Sequence, residues 1–423
     1  MAAVNVARTR ISPTRVVPAV SRPFAQLDYA LALAIAGLVM IGLIMVYSAS
    51  VYVSLLQELT PTYYFGRQLG AVLLGLVAIV LLQFIDYRTL RRFSVVAAAL
   101  TIAGLAAVLI LGESILGAKR GLFQGSYQPS EFAKLITVVY IADWLAAKGE
   151  RIKSFELGFF PFLFLVAILC GLVALQPDVS TTTLIALIAF TMFFVAGARW
   201  SHFAILMAGG ASVFAGLVAF MPHARQRFME YVWSLMDPSQ AQWHAQQVVY
   251  SFALGGLTGR GLGRSFQKTG PLPVPHTDSI LAVVGEELGL VGCLVVLALL
   301  CVIIYRGYKI ALETREDYGR LLAVGITTWL AVQGLVNIAG LTGVGPFSGV
   351  PLPFVSYGGS SMLMSLIGVG ILLGISQQNK RTEAGMDRPL TGSRATVKGR
   401  NGAAVGVSWR NGRTYFTGVG YRR

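Results

Sequence analysis

The chain has 423 residues, of which 55% are hydrophobic and only 13% charged, whereas a soluble domain usually carries about 25% charged residues. That balance excludes a soluble globular protein, and the apolar residues fall in blocks long enough to cross a bilayer, which takes about 20 residues as a helix. A net charge of +15 would suggest a nucleic-acid partner in a soluble chain; here the basic residues sort by membrane side, and no nucleic acid is expected.

In lipid every backbone polar group must find its partner inside the protein, so a chain crosses as helices or as a closed barrel. The alternating pattern of a barrel is absent, and the predicted fold class is all-α: a polytopic membrane protein with one long outer loop. Ten spans are read at about 28–48, 66–84, 94–112, 129–147, 157–175, 179–197, 202–221, 281–305, 319–341 and 358–376. The leading 26 residues hold Arg8, Arg10, Arg15 and Arg22. The apolar run behind them is too long for a signal peptide and lacks an A-x-A-like site, so no cleavage is expected. With the N-terminus inside, 25 of the 34 basic residues fall on the cytoplasmic side and eight on the outer side, with Lys134 inside a span. The positive-inside rule then puts both termini in the cytoplasm.

Span three leads into an outer loop, Gly117-Ala118-Lys119-Arg120-Gly121, whose two cations could meet an anionic headgroup. Span four opens with Gln128-Pro129-Ser130-Glu131-Phe132-Ala133-Lys134. Proline suits the first turn of a helix, and Glu131 and Lys134 share a helix face and can pair. Buried pairs of this kind are more often architectural than catalytic. Between spans five and six, Gln176-Pro177-Asp178 makes a tight turn in which Asp178 serves either as the N-cap of span six or as a substrate contact. Cys170, Cys293 and Cys301 fall in spans without any pattern, and His202, His223, His244 and His276 are scattered. Neither a disulfide framework nor a histidine metal cluster is indicated.

The outer segment 222–280 is long enough to expect a role. Residues 224–236 read as an interfacial helix ended by Asp237-Pro238, and a second helix runs from about Trp243 to Leu254. A glycine-rich piece, 255–263, precedes Pro271, Pro273 and Pro275, which are expected to hold the backbone extended. His276-Thr277-Asp278 closes the loop, with Glu286-Glu287 just beyond. A solvated connector is the bland reading. The sharper one makes Asp278 a general base, with Arg260, Arg264, Gln267 and Lys268 upstream to meet a phosphate-bearing substrate. Before span ten, residues 345–361 hold three prolines together with glycines and serines, Ser356 among them. Irregular backbone at membrane depth is tolerated where it lines an enclosed or wet cavity. The tail, 378–423, has ten basic residues against Glu383 and Asp387. Without apolar periodicity it reads as mostly disordered, drawn to anionic lipid or to a partner. The division expected is a tail (1–26), a membrane domain (27–377) and a second tail (378–423).

The motifs QPSEFAKL (128–135), QPDVSTTT (176–183), GLTGRGLGRSFQK (256–268), LPVPHTDSILAVVGEELGLVG (272–292) and PLPFVSYGGSSML (351–363), in this order on ten spans, closely resemble the SEDS family. Its members include FtsW of division, RodA of elongation and a sporulation relative. The resemblance covers about residues 26–378, and the wording GEELG leans toward the division type. It implies a peptidoglycan glycosyltransferase that polymerises lipid II at the outer face of the bacterial cytoplasmic membrane, alongside a class B penicillin-binding protein and other divisome proteins. The family's essential loop aspartate falls on Asp278, and its acid–lysine pair on Glu131 and Lys134. Where the family often reads LPEAHTDFIFA, this chain has Val274 in place of the acid, which leaves Asp278 as the better base. The segment around Lys119 and Arg120 matches only loosely.

On this reading Asp278 deprotonates an acceptor hydroxyl. Arg260, Arg264, Gln267, Lys268, His276, Lys119, Arg120 and Ser356 face the substrate, with a divalent cation, Mg2+ or Mn2+, as a candidate aid. Glu131, Lys134, Asp178 and Glu286 support them. A lone carboxylate fits single displacement with inversion. The rivals are a lipid II flippase using the same charges, an elongation-type polymerase, and a scaffold that only activates its partner.

Overall fold

The computed structural model describes residues 27–111, 113–115, 118–121, 128–236, 243–386, 397–398, 404–410 and 413–417. Expectations for the N-terminal tail lie outside them. Ten helices form the bundle: α1 (Tyr29–Leu56), α2 (Tyr63–Leu82), α3 (Arg88–Leu111), α4 (Pro129–Lys148), α5 (Phe160–Ala174), α6 (Val179–Val195), α7 (Trp200–Phe220), α10 (Ile280–Glu313), α11 (Asp317–Thr342) and α12 (Gly359–Met386). Between α7 and α10 lie α8 (Pro222–Met236) and α9 (Trp243–Gly255), the two helices expected in the long loop. Among the described residues eight helices are long and apolar enough to cross a membrane, one of them α5 together with the π-helical turn Phe155–Phe159 that precedes it. The 17-residue α6 and the charged α4 complete the ten.

Local chemistry sets the helix starts. Asp28 caps α1 through Leu31 N at 3.1 Å and pairs with Arg306 of α10. Pro129 opens α4, where its missing N–H costs nothing. Asp178 caps α6, accepting from Thr181 N at 3.1 Å and Thr181 Oγ1 at 2.9 Å. Of the two roles open to Asp178, the cap is the one the structure forms.

The centre of the bundle is α11, along which 78% of the apolar window is buried, against 6% for the peripheral α7. Because the chain reverses at every span, the connections α1–α2, α3–α4, α5–α6, the long loop and α11–α12 all gather at one end, called here the loop end. The α3–α4 connection contains a short antiparallel pair, β1 (Glu113–Ile115) with β2 (Ala118–Gly121).

Three features depart from expectation. First, α10 is two helices joined at Gly289, whose φ of 69° and ψ of −167° lie outside helical space. Second, the proline run is a series of turns rather than an extended strand, because Val274 takes φ 46° between two prolines. Third, the C-terminal stretch carries β3 (Val397–Lys398), β4 (Ala404–Arg410) and β5 (Arg413–Thr417) in antiparallel order, where the sequence predicts no regular structure.

Candidate functional site

The break in α10 is filled by the glycine-rich segment. In an unbroken helix the amides of Leu290 and Val291 would bond the carbonyls of Glu286 and Glu287. Instead Leu290 N and Val291 N donate to Gly256 O and Leu257 O at 2.9 and 3.2 Å, while Arg260 N and Gly261 N donate to Glu286 O and Glu287 O, both at 3.0 Å. Two intrahelical bonds are replaced by four between segments. The approach demands glycine: a Cβ on Gly259 would collide with Glu287 O, and one on Gly289 with Gly259 N and Leu257 O.

Two buried carboxylates fasten this strap. Glu286 accepts from Ser265 Oγ, from Phe266 N at 2.7 Å and from Gln267 N at 3.2 Å, with the Arg260 guanidinium 3.6 Å away. Glu287 is held by Lys268 Nζ at 2.6 Å and by Ser48 Oγ of α1 at 2.7 and 2.8 Å. Both acids have no exposed surface. Removing one partner of such a pair costs roughly 3–5 kcal/mol, because the other charge is left buried alone.

Residues 343–358 form the second irregular segment, and it dips into the bundle. Gly42, midway along α1, meets it so closely that a Cβ there would lie 2.8 Å from Val355 Cα. The segment hangs on α11, which presents Trp329, Gln333 and Asn337 one turn apart on one face. Gln333 Nε2 donates to Pro351 O at 3.0 Å, and Asn337 Nδ2 to Val350 O at 2.7 Å. Gln333 Oε1 accepts in turn from Trp329 Nε1 at 2.8 Å and Lys134 Nζ at 2.9 Å. Lys134 lies 2.7 Å from Glu131 Oε2, and both are buried. The charged pair of α4 thus acts on the segment through Gln333.

Asp278 lies where the two irregular segments meet. Its carbonyl accepts from Asn337 Nδ2 at 2.9 Å, and its side chain is half-buried facing Gly349, where a Cβ would lie 3.3 Å from Asp278 Oδ2. Next to it, Ser279 Oγ is 2.6 Å from His244 Nε2 of α9, and the His244 ring lies 4.0 Å from that of Phe347. Ser180 Oγ at the start of α6 reaches Ser348 O at 2.5 Å. Asp278 thus sits among five elements at the loop end: Gly349 faces its carboxylate and Asn337 holds its carbonyl, while α9 reaches its neighbour Ser279 and α6 reaches Ser348.

The expected residues divide. His276 is two residues from Asp278 but packs between Tyr64 and Tyr357, with ring centroids 4.7 and 5.5 Å away. Burial pushes its imidazole down to about 4, and its Nδ1 is buried without a partner. Ser356 is buried and accepts from Leu352 N at 2.8 Å, closing a turn of its own segment. Gln267 and Lys268 are buried in the strap, and the Lys268 charge is matched by Glu287; Arg264 and Arg260 are both exposed. Lys119 and Arg120 lie on β2, and their side chains lie outside the described residues. Sequence reasoning missed Asn337, Gln333, His244 and Gly349. Amides four residues apart inside a span were the available signal for the first two. Among the described residues no group of three or more His, Cys, Asp or Glu could hold a metal ion.

The family model for FtsW, RodA and SpoVE, described as cell cycle protein, matches residues 29–381. A Trichlorobacter lovleyi protein named "Probable peptidoglycan glycosyltransferase FtsW" is 36% identical over 384 residues, covering 88% of this chain and 98% of its own. Stage V sporulation protein E of Bacillus subtilis is 38% identical over 75% of this chain and 88% of its own. Among solved structures, a chain from a peptidoglycan synthase complex that coordinates polymerization and crosslinking aligns with a TM-score of 0.70 at 27% identity, covering 84% of this chain and 99% of that one. The rod shape determining protein RodA of Thermus thermophilus aligns at 0.61 and 25%, covering 84% and 98%.

Proposed function

Because the chain belongs to the FtsW, RodA and SpoVE family of cell cycle proteins, we propose that it is an inverting peptidoglycan glycosyltransferase of the division type, polymerising lipid II. The loop end is then the outer face of a bacterial cytoplasmic membrane, with both termini in the cytoplasm. The gathering of α6, α9, α11 and residues 343–358 around the end of the long loop that bears Asp278 carries the reading.

The donor is a sugar on a polyprenyl pyrophosphate, so the leaving group is already activated and anionic. Asp278 takes the proton of the acceptor hydroxyl as that oxygen attacks the anomeric carbon. A new glycosidic bond forms, the bond to the pyrophosphate breaks, and configuration inverts because no enzyme carboxylate forms a covalent sugar intermediate. Arg264 and Arg260, both exposed, with Lys119 and Arg120 of β2, supply cations for the departing pyrophosphate. Lys268, neutralised by Glu287, holds the strap instead. The closed Glu131–Lys134 pair, at 5% and 2% exposure, offers a transported headgroup no open charge, which favours an enzyme over a flippase. A class B penicillin-binding protein, acting with other divisome proteins, is the expected partner and would crosslink the strands.

The test is polymerisation of labelled lipid II by the purified protein with its penicillin-binding partner. Wild type should give a glycan ladder, and Asp278→Asn should lose about 100-fold or more, the usual contribution of a general base. An Asp278→Asn protein within a few-fold of wild type would remove the base from the mechanism. Transbilayer movement of lipid II without polymer would replace the reading by a flippase.

A further inference from the structure

Asp278 belongs to a chain of turns and faces a second segment without regular structure, so something must fix each against the other before a carboxylate can meet one hydroxyl. We propose that Asn337 of α11 is a positioning residue for Asp278, its amide gripping the carbonyls of Asp278 and Val350 together. The proposal rests on the glycosyltransferase reading.

A side-chain amide has two N–H donors, and Asn337 uses both: Nδ2 lies 2.9 Å from Asp278 O and 2.7 Å from Val350 O. Its Oδ1 is buried and has no partner. The grip carries a cost of its own, an orphaned oxygen, while an apolar side chain of the same shape would leave the Asp278 and Val350 carbonyls without this donor. The grip decides what the carboxylate faces. Gly349 precedes Val350 with φ 66°, and a Cβ there would lie 3.3 Å from Asp278 Oδ2. Bare backbone is thus brought against the carboxylate, and the position admits no side chain without displacing it.

One turn back, Gln333 holds Pro351 O while its own oxygen is held by Lys134 and Trp329. The height of Val350 over the site is therefore referred to the rigid interior of the bundle. Asn337 acts through the main chain of Asp278 and through Gly349, so its loss should be felt in turnover rather than in substrate affinity.

The experiment uses the full chain in complex with its penicillin-binding partner and lipid II as substrate. Asn337→Leu keeps the side-chain shape and removes both donors. It should lower kcat at least about tenfold with KM within about twofold, beside a modest drop in the thermal midpoint as two carbonyls lose their donor. Gly349→Ala, outside the α11 core, should show the same split. Turnover within threefold of wild type in Asn337→Leu, or a loss carried by KM, overturns the clamp. If that variant fails to fold, Gly349→Ala decides by the same criteria. Inactive wild type would instead sink the glycosyltransferase reading and the clamp with it, whereas active wild type beside unaffected variants sinks the clamp alone.

Discussion

His276 is kept from water by the rings of Tyr64 and Tyr357, and burial lowers its pKa from 6.5 to about 4. The folded loop therefore holds the neutral imidazole, and between these two values the unfolded chain binds more protons. Stability contributed here is fully present above the unfolded value and is lost as pH falls from about 6.5 toward about 4, by at most about 1.4 kcal/mol per unit. The thermal midpoint of wild type should drop more steeply over that window than that of His276→Gln; parallel curves would deny the imbalance. The site was only partly legible at this scale. Asp278 stands out because an acid beside a membrane, after three prolines, has few ordinary reasons to be there. Lys268 and Arg264 look alike in the sequence, yet one is buried and the other exposed. The difference comes from Ser48, 220 positions away, and Glu287, and no local pattern encodes that meeting.

The strap across α10 explains why the family-like stretch 255–263 is rich in glycine: it replaces part of a helix's own hydrogen bonding. An alanine at Gly289 would be strained at its positive φ and would collide with Gly259 N and Leu257 O. Gly289→Ala should therefore cost more than about 1 kcal/mol and loosen the strap, read as a lower thermal midpoint and faster proteolysis within residues 255–268. A variant as stable and as resistant as wild type would deny that the break is needed. The break itself was hidden, because apolar residues continue through GEELGLVG without interruption and a single glycine inside a span is common. In the C-terminal stretch the sequence does carry a signal: Asn411-Gly412 lies between runs bearing Val405, Val407 and Trp409 on one side and Tyr415 and Phe416 on the other. Asn-Gly between such runs is a strong hairpin signature, and β4 and β5 flank it.

Ten spans and two loop helices were readable because length and apolarity are properties of one segment at a time, whereas the surroundings of Asp278 depend on five segments at once. Orientation is open to direct measurement. In a protein whose native cysteines are replaced, a single cysteine at Glu58 or Arg264 should react with a membrane-impermeant maleimide in intact spheroplasts. One at Arg92 should react only after permeabilisation. The opposite pattern would invert the molecule and move Asp278 to the cytoplasm.

The α4 pair also constrains how the protein is made. Glu131 and Lys134 enter the bilayer with α4, but Gln333, which caps the lysine, lies 199 residues later in the chain. At about 5–20 residues per second of synthesis, the pair waits roughly 10–40 s for α11. A lone charge costs about 2.5–3.5 kcal/mol at the centre of an inserting helix and less toward its end, where Glu131 and Lys134 lie. During that interval the compensation encoded within the helix itself is the opposite charge one turn away. The close spacing of the two residues thus suits the nascent chain as well as the finished bundle: it makes α4 insertable before the helix that completes its wiring exists.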